Sequence, residues 1–205
     1  MALGVAACGD DEEEPTSGGT DTEESGGGKE LTVYSSLPLQ GASRPQSEDV
    51  IKGIELALKQ KGGKCGDYPI KYESLDDATA AAGQWEAGAT SDNARKAAQD
   101  DNAIAYIGEF NSGASAISIP ITNDGNLLQV SPSNTAYGLT KSGTGAEPGE
   151  PDKYYPAGTR TYGRVVPIDN IQGAALATYM QEEGVTNVYI LDDAEVYGKG
   201  VAKNT

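Results

Sequence analysis

Ala103-Ile104-Ala105-Tyr106-Ile107-Gly108-Glu109-Phe110-Asn111-Ser112-Gly113 runs from a short β-prone stretch through a turn into the start of a helix. The helical pattern is predicted from Gly113 to Asn123, weakened by Pro120. Leu127-Leu128-Gln129-Val130 then reads as the next strand. A strand, a helix and a second strand in close succession fit a parallel pair, because parallel neighbours need a crossover connection.

The same rhythm extends in both directions. Upstream, Leu31 to Ser36 is β-rich, and Leu37 to Gln46 is a turn-rich loop. Ser47 is the expected N-cap of a helix whose apolar face is Val50, Ile51, Ile54, Ala57 and Leu58, stopped by Gly62-Gly63. Ile70 to Leu75 alternates as a strand ended by Asp76-Asp77. Residues 78–90, with Trp85, read as a loop, and Ser91 or Asp92 as the cap of a helix carrying Ala94, Ala97 and Ala98. Downstream, 138–160 is a Gly/Pro/Lys/Glu-rich excursion with little expected structure, and Tyr162 to Val166 is extended. Ile171 to Tyr179 marks a helix closed by Gly184, and Asn187 to Leu191 a buried strand before Asp192-Asp193. A further helix begins near Tyr197-Gly198. The fold class is therefore α/β, a parallel sheet with helices on both faces.

Open parallel sheets bind ligands at the carboxyl ends of their strands. Those ends fall at Ser36–Arg44, Glu109–Gly113, Ser131–Thr135 and Asp192–Gly198. Ser112 and Gly113 open a helix, where unpaired N–H groups and the helix dipole suit a carboxylate. Ser133 and Thr135 offer a carbonyl and a hydroxyl, which suit an ammonium. The same residue types also serve ordinary caps and turns.

Composition narrows the chemistry. The chain has 205 residues and a net charge of −16. Half of that charge lies in the first 30 residues, which hold nine acids and one base. An acidic surface argues against nucleic acid as a partner. There is no histidine, and the two cysteines, Cys8 and Cys65, form no CxxC pair, so no metal site or other cofactor is expected. GxSxG, P-loop and GxGxxG signatures are absent, and Asp76-Asp77 and Asp192-Asp193 read as strand-end turns. No enzyme is expected. No run of about 18 apolar residues exists to span a membrane.

Val5-Ala6-Ala7-Cys8 resembles a bacterial lipobox, with Cys8 as the lipidation site, a reading that the tail after it favours over an arbitrary Ala-rich start with a free Cys. Residues 1–8 are then the remnant of a lipoprotein signal peptide. Residues 9–29, composed of Gly, Ser, Thr, Asp and Glu with little else, read as a disordered acidic tether.

Four segments in order resemble the branched-chain amino-acid binding proteins of ABC importers, of the type I periplasmic-binding fold. They are Ser36-Leu37-Pro38-Leu39-Gln40-Gly41, Ile107 to Gly113, Ser131-Pro132-Ser133-Asn134-Thr135-Ala136, and Leu191 to Gly200 with Tyr197-Gly198. The resemblance covers about residues 30–205. It implies a first lobe over 30–167 and the beginning of a second over 168–205, so the chain reads as truncated and is expected to bind ligand weakly by itself. It implies that Ser112 with Gly113 binds a ligand carboxylate, that Ser133, Asn134 and Thr135 surround the amino group, and that Tyr197 closes from the second lobe. Arg44 is a departure from the family and a candidate partner for an anionic ligand side chain. The implied partners are a small amino-acid-like molecule and an ABC importer permease, with the membrane reached only through the lipid anchor. The implied location is extracytoplasmic. A sensor or receptor ectodomain with the same fold is the alternative.

Overall fold

A computed structural model describes residues 28–205; Cys8, the lipobox-like segment and almost all of the expected tether lie outside the described residues. The elements are β1 (Leu31–Leu37), α1 (Arg44–Gln60), β2 (Lys64–Cys65), β3 (Tyr68–Asp76), α2 (Ala87–Ala98), β4 (Ala103–Ile107), α3 (Ser112–Asp124), β5 (Leu128–Ser131), β6 (Tyr162–Arg164), α4 (Asp169–Glu182) and α5 (Val196–Asn204). Two 3₁₀ turns, Tyr137–Leu139 and Asp152–Tyr154, lie between β5 and β6.

One six-stranded sheet runs β2-β3-β1-β4-β5-β6, parallel throughout except for the short hairpin of β2 on β3. The chain leaves β1 towards β3, then reverses past β1 to β4 and β5. Right-handed crossovers in opposite directions put α1 on one face and α2 with α3 on the other. The α2–α3 face is lined across neighbouring strands by Tyr34, Tyr106, Gln129 and Tyr162, which are register partners. Tyr34, Tyr106 and Leu127 pack there against Ala94 and Ala97 of α2. Alanines at those helix positions let α2 approach the ring-bearing sheet closely.

Several boundaries differ from expectation. Helix α1 starts at Arg44 with Ser43 as N-cap, not at Ser47, which lies buried inside it. Pro45 in the first turn explains the shift: its fixed φ suits a helix start and its missing N–H is not needed there. Helix α2 starts at Ala87, four residues before the expected cap, so only 78–86 is loop. Glu86 takes the extended backbone of an N-cap directly after Trp85 bridges back to Ala78. Helix α3 continues through Pro120 to Asp124.

The 138–160 excursion is better organised than its composition suggests. Leu139, Tyr154 and Tyr155 are buried with Ile119 of α3, Ala136 and Tyr162 in a second core. Tyrosine can enter this core because its hydroxyl finds partners: Tyr155 donates to the Leu139 carbonyl (2.6 Å) and Tyr154 to Glu150 (2.6 Å).

The expected buried strand at 187–191 is not one. Those residues pair with no described strand, and Tyr189 and Leu191 are 86% and 83% exposed. A strand exists only through a neighbour that takes its backbone hydrogen bonds, and the sheet ends at β6. The Gly184 stop is as expected: it adopts φ +70°, and the N–H of Val185 reaches back to Met180 (2.9 Å). Among the described residues Cys65 is exposed and free, and no helix is long and apolar enough to cross a membrane.

Candidate functional site

Because β1, β3, β4 and β5 are parallel, their carboxyl ends meet along one edge. Asp76, the last residue of β3, ties the first two loops together. Its carboxylate accepts from the N–H of Leu39 (2.9 Å), the side-chain amide of Gln40 (2.8 Å) and the N–H of Ala78 (2.8 Å). The Asn93 amide of α2 donates to the Asp76 carbonyl (2.9 Å) and to Ser36 Oγ (3.1 Å). The carboxylate of Asp76 is thus fully engaged in turn chemistry.

The next two tips are joined through Ser131. Its hydroxyl donates to the Glu109 carbonyl (2.8 Å) and accepts from the N–H groups of Ser133 (3.2 Å) and Asn134 (2.9 Å). Ser133 Oγ (2.7 Å) and the Asn134 amide (2.8 Å) both donate to the Phe110 carbonyl. Asn134 Oδ1 accepts from Tyr162 (3.0 Å). Arg164, at the end of β6, donates to the carbonyls of Asn134 (3.1 Å) and Ala136 (2.9 Å) and to Thr140 Oγ1 (2.8 Å). These bonds hold the backbone of 131–136 beside the start of α3.

The candidate ligand residues divide into two groups. Ser112, Gly113, Ser133, Asn134 and Thr135 come together at the tips of β4 and β5: Ser112 Oγ accepts from the Ala136 N–H at 3.4 Å. Asn111, the N-cap of α3, has extended backbone and no side-chain cap bond, so the first-turn N–H groups keep their capacity for an anion. The Thr135 hydroxyl is buried and has no partner among the described residues. Arg44 and Tyr197 make no hydrogen bond to that cluster. Arg44 pairs with Glu48 (2.6 Å) on the exposed start of α1, and the Tyr197 hydroxyl lies 3.4 Å from the Gln172 amide of α4.

Beneath the tips lies a buried acidic pair, although Asp77 reads in the sequence as part of a strand-end turn. Asp77 and Glu109 are fully buried. Tyr106 donates to Glu109 Oε1 at 2.7 Å. Loss of water pushes Asp77 up to about 6, with the charge of Asp76 adding to the rise, and pushes Glu109 well above the usual carboxylate range, where the neighbouring Asp77 adds to it.

Two more residues converge on Gly113. A methyl group there would lie 2.7 Å from Trp85 Cζ2, 3.1 Å from Trp85 Cη2 and 3.4 Å from Glu195 Oε2. Glu195 is the N-cap of α5. The one sequence signal for this arrangement was that the sole tryptophan sits in a strand-tip segment. A hollow of about 760 Å³ lies alongside α3 rather than at its tip, between Ala116 and Pro120, the Tyr137–Leu139 turn, Glu150 and the α5 residues Val196 and Gly200. Among the described residues no cluster of three His, Cys, Asp or Glu side chains is placed to hold a metal ion.

Comparison with known proteins gives the architecture a lineage. The model of the family described as periplasmic binding protein matches residues 33–205. No curated protein matches the chain. Among solved structures, a leucine binding protein of Thermotoga maritima superposes with a TM-score of 0.67 at 22% identity, over 85% of this chain and 44% of that one. A branched-chain amino acid transporter substrate binding protein of Streptococcus pneumoniae, in complex with isoleucine, gives 0.66 at 20% identity, over 85% and 45%. A solute binding protein of an ABC transporter from R. palustris, in complex with benzoate, gives 0.66 at 20% identity, over 85% and 43%. The chain spans less than half the length of each of these proteins.

Proposed function

Since the chain belongs to the periplasmic binding protein family, we propose that it captures an amino acid or a similar small zwitterion or amide between two lobes and hands it to the permease of an ABC importer. The first lobe runs over 30–167 and the second begins at 168. Closure of one lobe on the other is a hinge motion that buries the solute and creates the surface the permease reads. The protein works outside the cytoplasm, tethered by residues 9–29 to a lipid on Cys8.

The observation that carries this reading is the adjacency of two hydroxyl-bearing tips. Ser112 and the 133–135 turn meet beside an uncapped helix start. Ser112 and the N–H of Gly113 take the ligand carboxylate. The carbonyl of Ser133 accepts no hydrogen bond among the described residues and, with Thr135 Oγ1, takes the ammonium. Asn134 holds the turn, and Tyr197 swings over the ligand on closure.

Isothermal titration of the protein made from its full coding sequence tests this, using leucine, isoleucine, glutamate, urea and benzoate as probes. One of these classes binds, and Ser112→Ala weakens it roughly ten- to hundredfold, the worth of a hydrogen bond to a charged group. Unchanged affinity in Ser112→Ala would remove the carboxylate assignment.

A further inference from the structure

We propose that Trp85 is a wall of the ligand site and, with Glu195 converging on the same glycine, a determinant of which carboxylate ligand is accepted. The inference rests on the binding reading above and extends it to two residues that reading did not use.

The indole edge lies so near the Gly113 Cα that any side chain there would collide with it. Gly113 belongs to the first turn of α3, where the uncapped N–H groups gather. The indole therefore borders the place where a ligand carboxylate is held, on the side facing the β3–α2 loop. Its position is set by the backbone. Trp85 bridges to Ala78, and the Ala78 N–H is bonded to Asp76, the residue that also fixes the β1–α1 loop. The ring is half-buried, and its N–H donates to no group among the described residues. A large apolar face with one unengaged donor, beside a polar anchor, is the usual make-up of a small-molecule wall.

Glu195 reaches the same point from α5. Its carboxylate places a negative charge beside the same first turn of α3 that the indole borders. A second carboxylate on the ligand would meet that charge at short range, whereas an uncharged apolar or planar group would lie against the indole. The site thus favours a monocarboxylate with an apolar or aromatic body over a dicarboxylate.

Trp85 is the one tryptophan among these 205 residues, and the difference in emission between the wild type and Trp85→Phe isolates its contribution. In the protein from the full coding sequence, calorimetry with leucine, isoleucine, benzoate and glutamate identifies the binders. Each binder then shifts the Trp85 emission saturably, with the calorimetric midpoint. Trp85→Ala weakens binding at least tenfold and Trp85→Phe less than that. Glutamate is the poorest of the three amino acids, and Glu195→Gln narrows its deficit at least threefold. Calorimetric binding with unchanged emission, or glutamate as the tightest ligand, overturns this inference alone. No heat with any probe overturns the binding reading and this one with it. If Trp85→Ala fails to fold by circular dichroism, the emission titration and Trp85→Phe decide.

Discussion

Asp77, just beyond the tip of β3, and Glu109, just beyond the tip of β4, are buried against each other. With both carboxyls ionised, three of their four oxygens lack a donor among the described residues, the fourth accepting from Tyr106. A proton placed between the two acids supplies the missing bond. The pair is therefore held partly protonated near neutral pH by burial first, and at Glu109 by the neighbouring Asp77 second.

This pair sets a pH dependence of stability with a definite sign. The folded Asp77 titrates at about 6 against an ordinary value of 3.8. Between those values the folded state binds more protons than the unfolded chain, so stability from this group is fully present below about 4 and is lost as pH rises through about 6. The change is up to about 3 kcal/mol. Urea midpoints of the wild type and Asp77→Asn, followed from pH 4.5 to 7.5, should diverge, the wild type losing ground as pH rises. Parallel profiles would show that Asp77 is not protonated in the fold.

Ser131 joins two candidate ligand loops through three hydrogen bonds. Ser131→Ala leaves two N–H groups and one carbonyl of a buried turn without partners. A loss of about 2–4 kcal/mol in unfolding free energy is expected. A change below about 0.5 kcal/mol would mean that the turn stands without its hub.

Gly41 and Gly83 form a matched pair for mutagenesis. Both have positive φ, +72° and +64°. A methyl on Gly41 would strike the Gly83 carbonyl, whereas one on Gly83 meets nothing within 4 Å. Gly83→Ala should cost about 1–2 kcal/mol, the left-handed penalty by itself. Gly41→Ala should cost clearly more, and it should push the Trp85-bearing loop away from the β1–α1 loop. Equal melting temperatures for the two variants would contradict the contact.

Arg164 clamps 134–140 with a planar fork of donors aimed at two carbonyls and a hydroxyl. Lysine has the charge but not the fork. Arg164→Lys should lower the unfolding free energy by about 1–3 kcal/mol and slow ligand capture by loosening the 133–135 turn. Wild-type stability in Arg164→Lys would show that charge alone suffices.

The strand–helix rhythm was legible where a short apolar run met a clear stop. β1, β4, α3 and β5 were found within a residue or two, and so were the polar tips that follow β4 and β5. The start of α1 was misplaced because Ser47 looks like a cap, while Pro45, five residues before the expected apolar face, had the stronger claim. The tyrosines of 138–160 sit among glycines and prolines, and no periodicity marks them as core.

From residue order alone came the α/β class, the direction of the sheet and the edge at which a ligand would be held, because those follow from local periodicity and from the handedness of connections. Tertiary structure decided which distant side chains share a point. Trp85 and Glu195 meet at Gly113, Asp77 faces Glu109, and 187–191 remains unpaired despite its strand-like composition. A window of sequence records which way a side chain points, but what lies opposite it is fixed only when separate elements pack. Burial, charge pairing and strand formation all depend on that opposite partner.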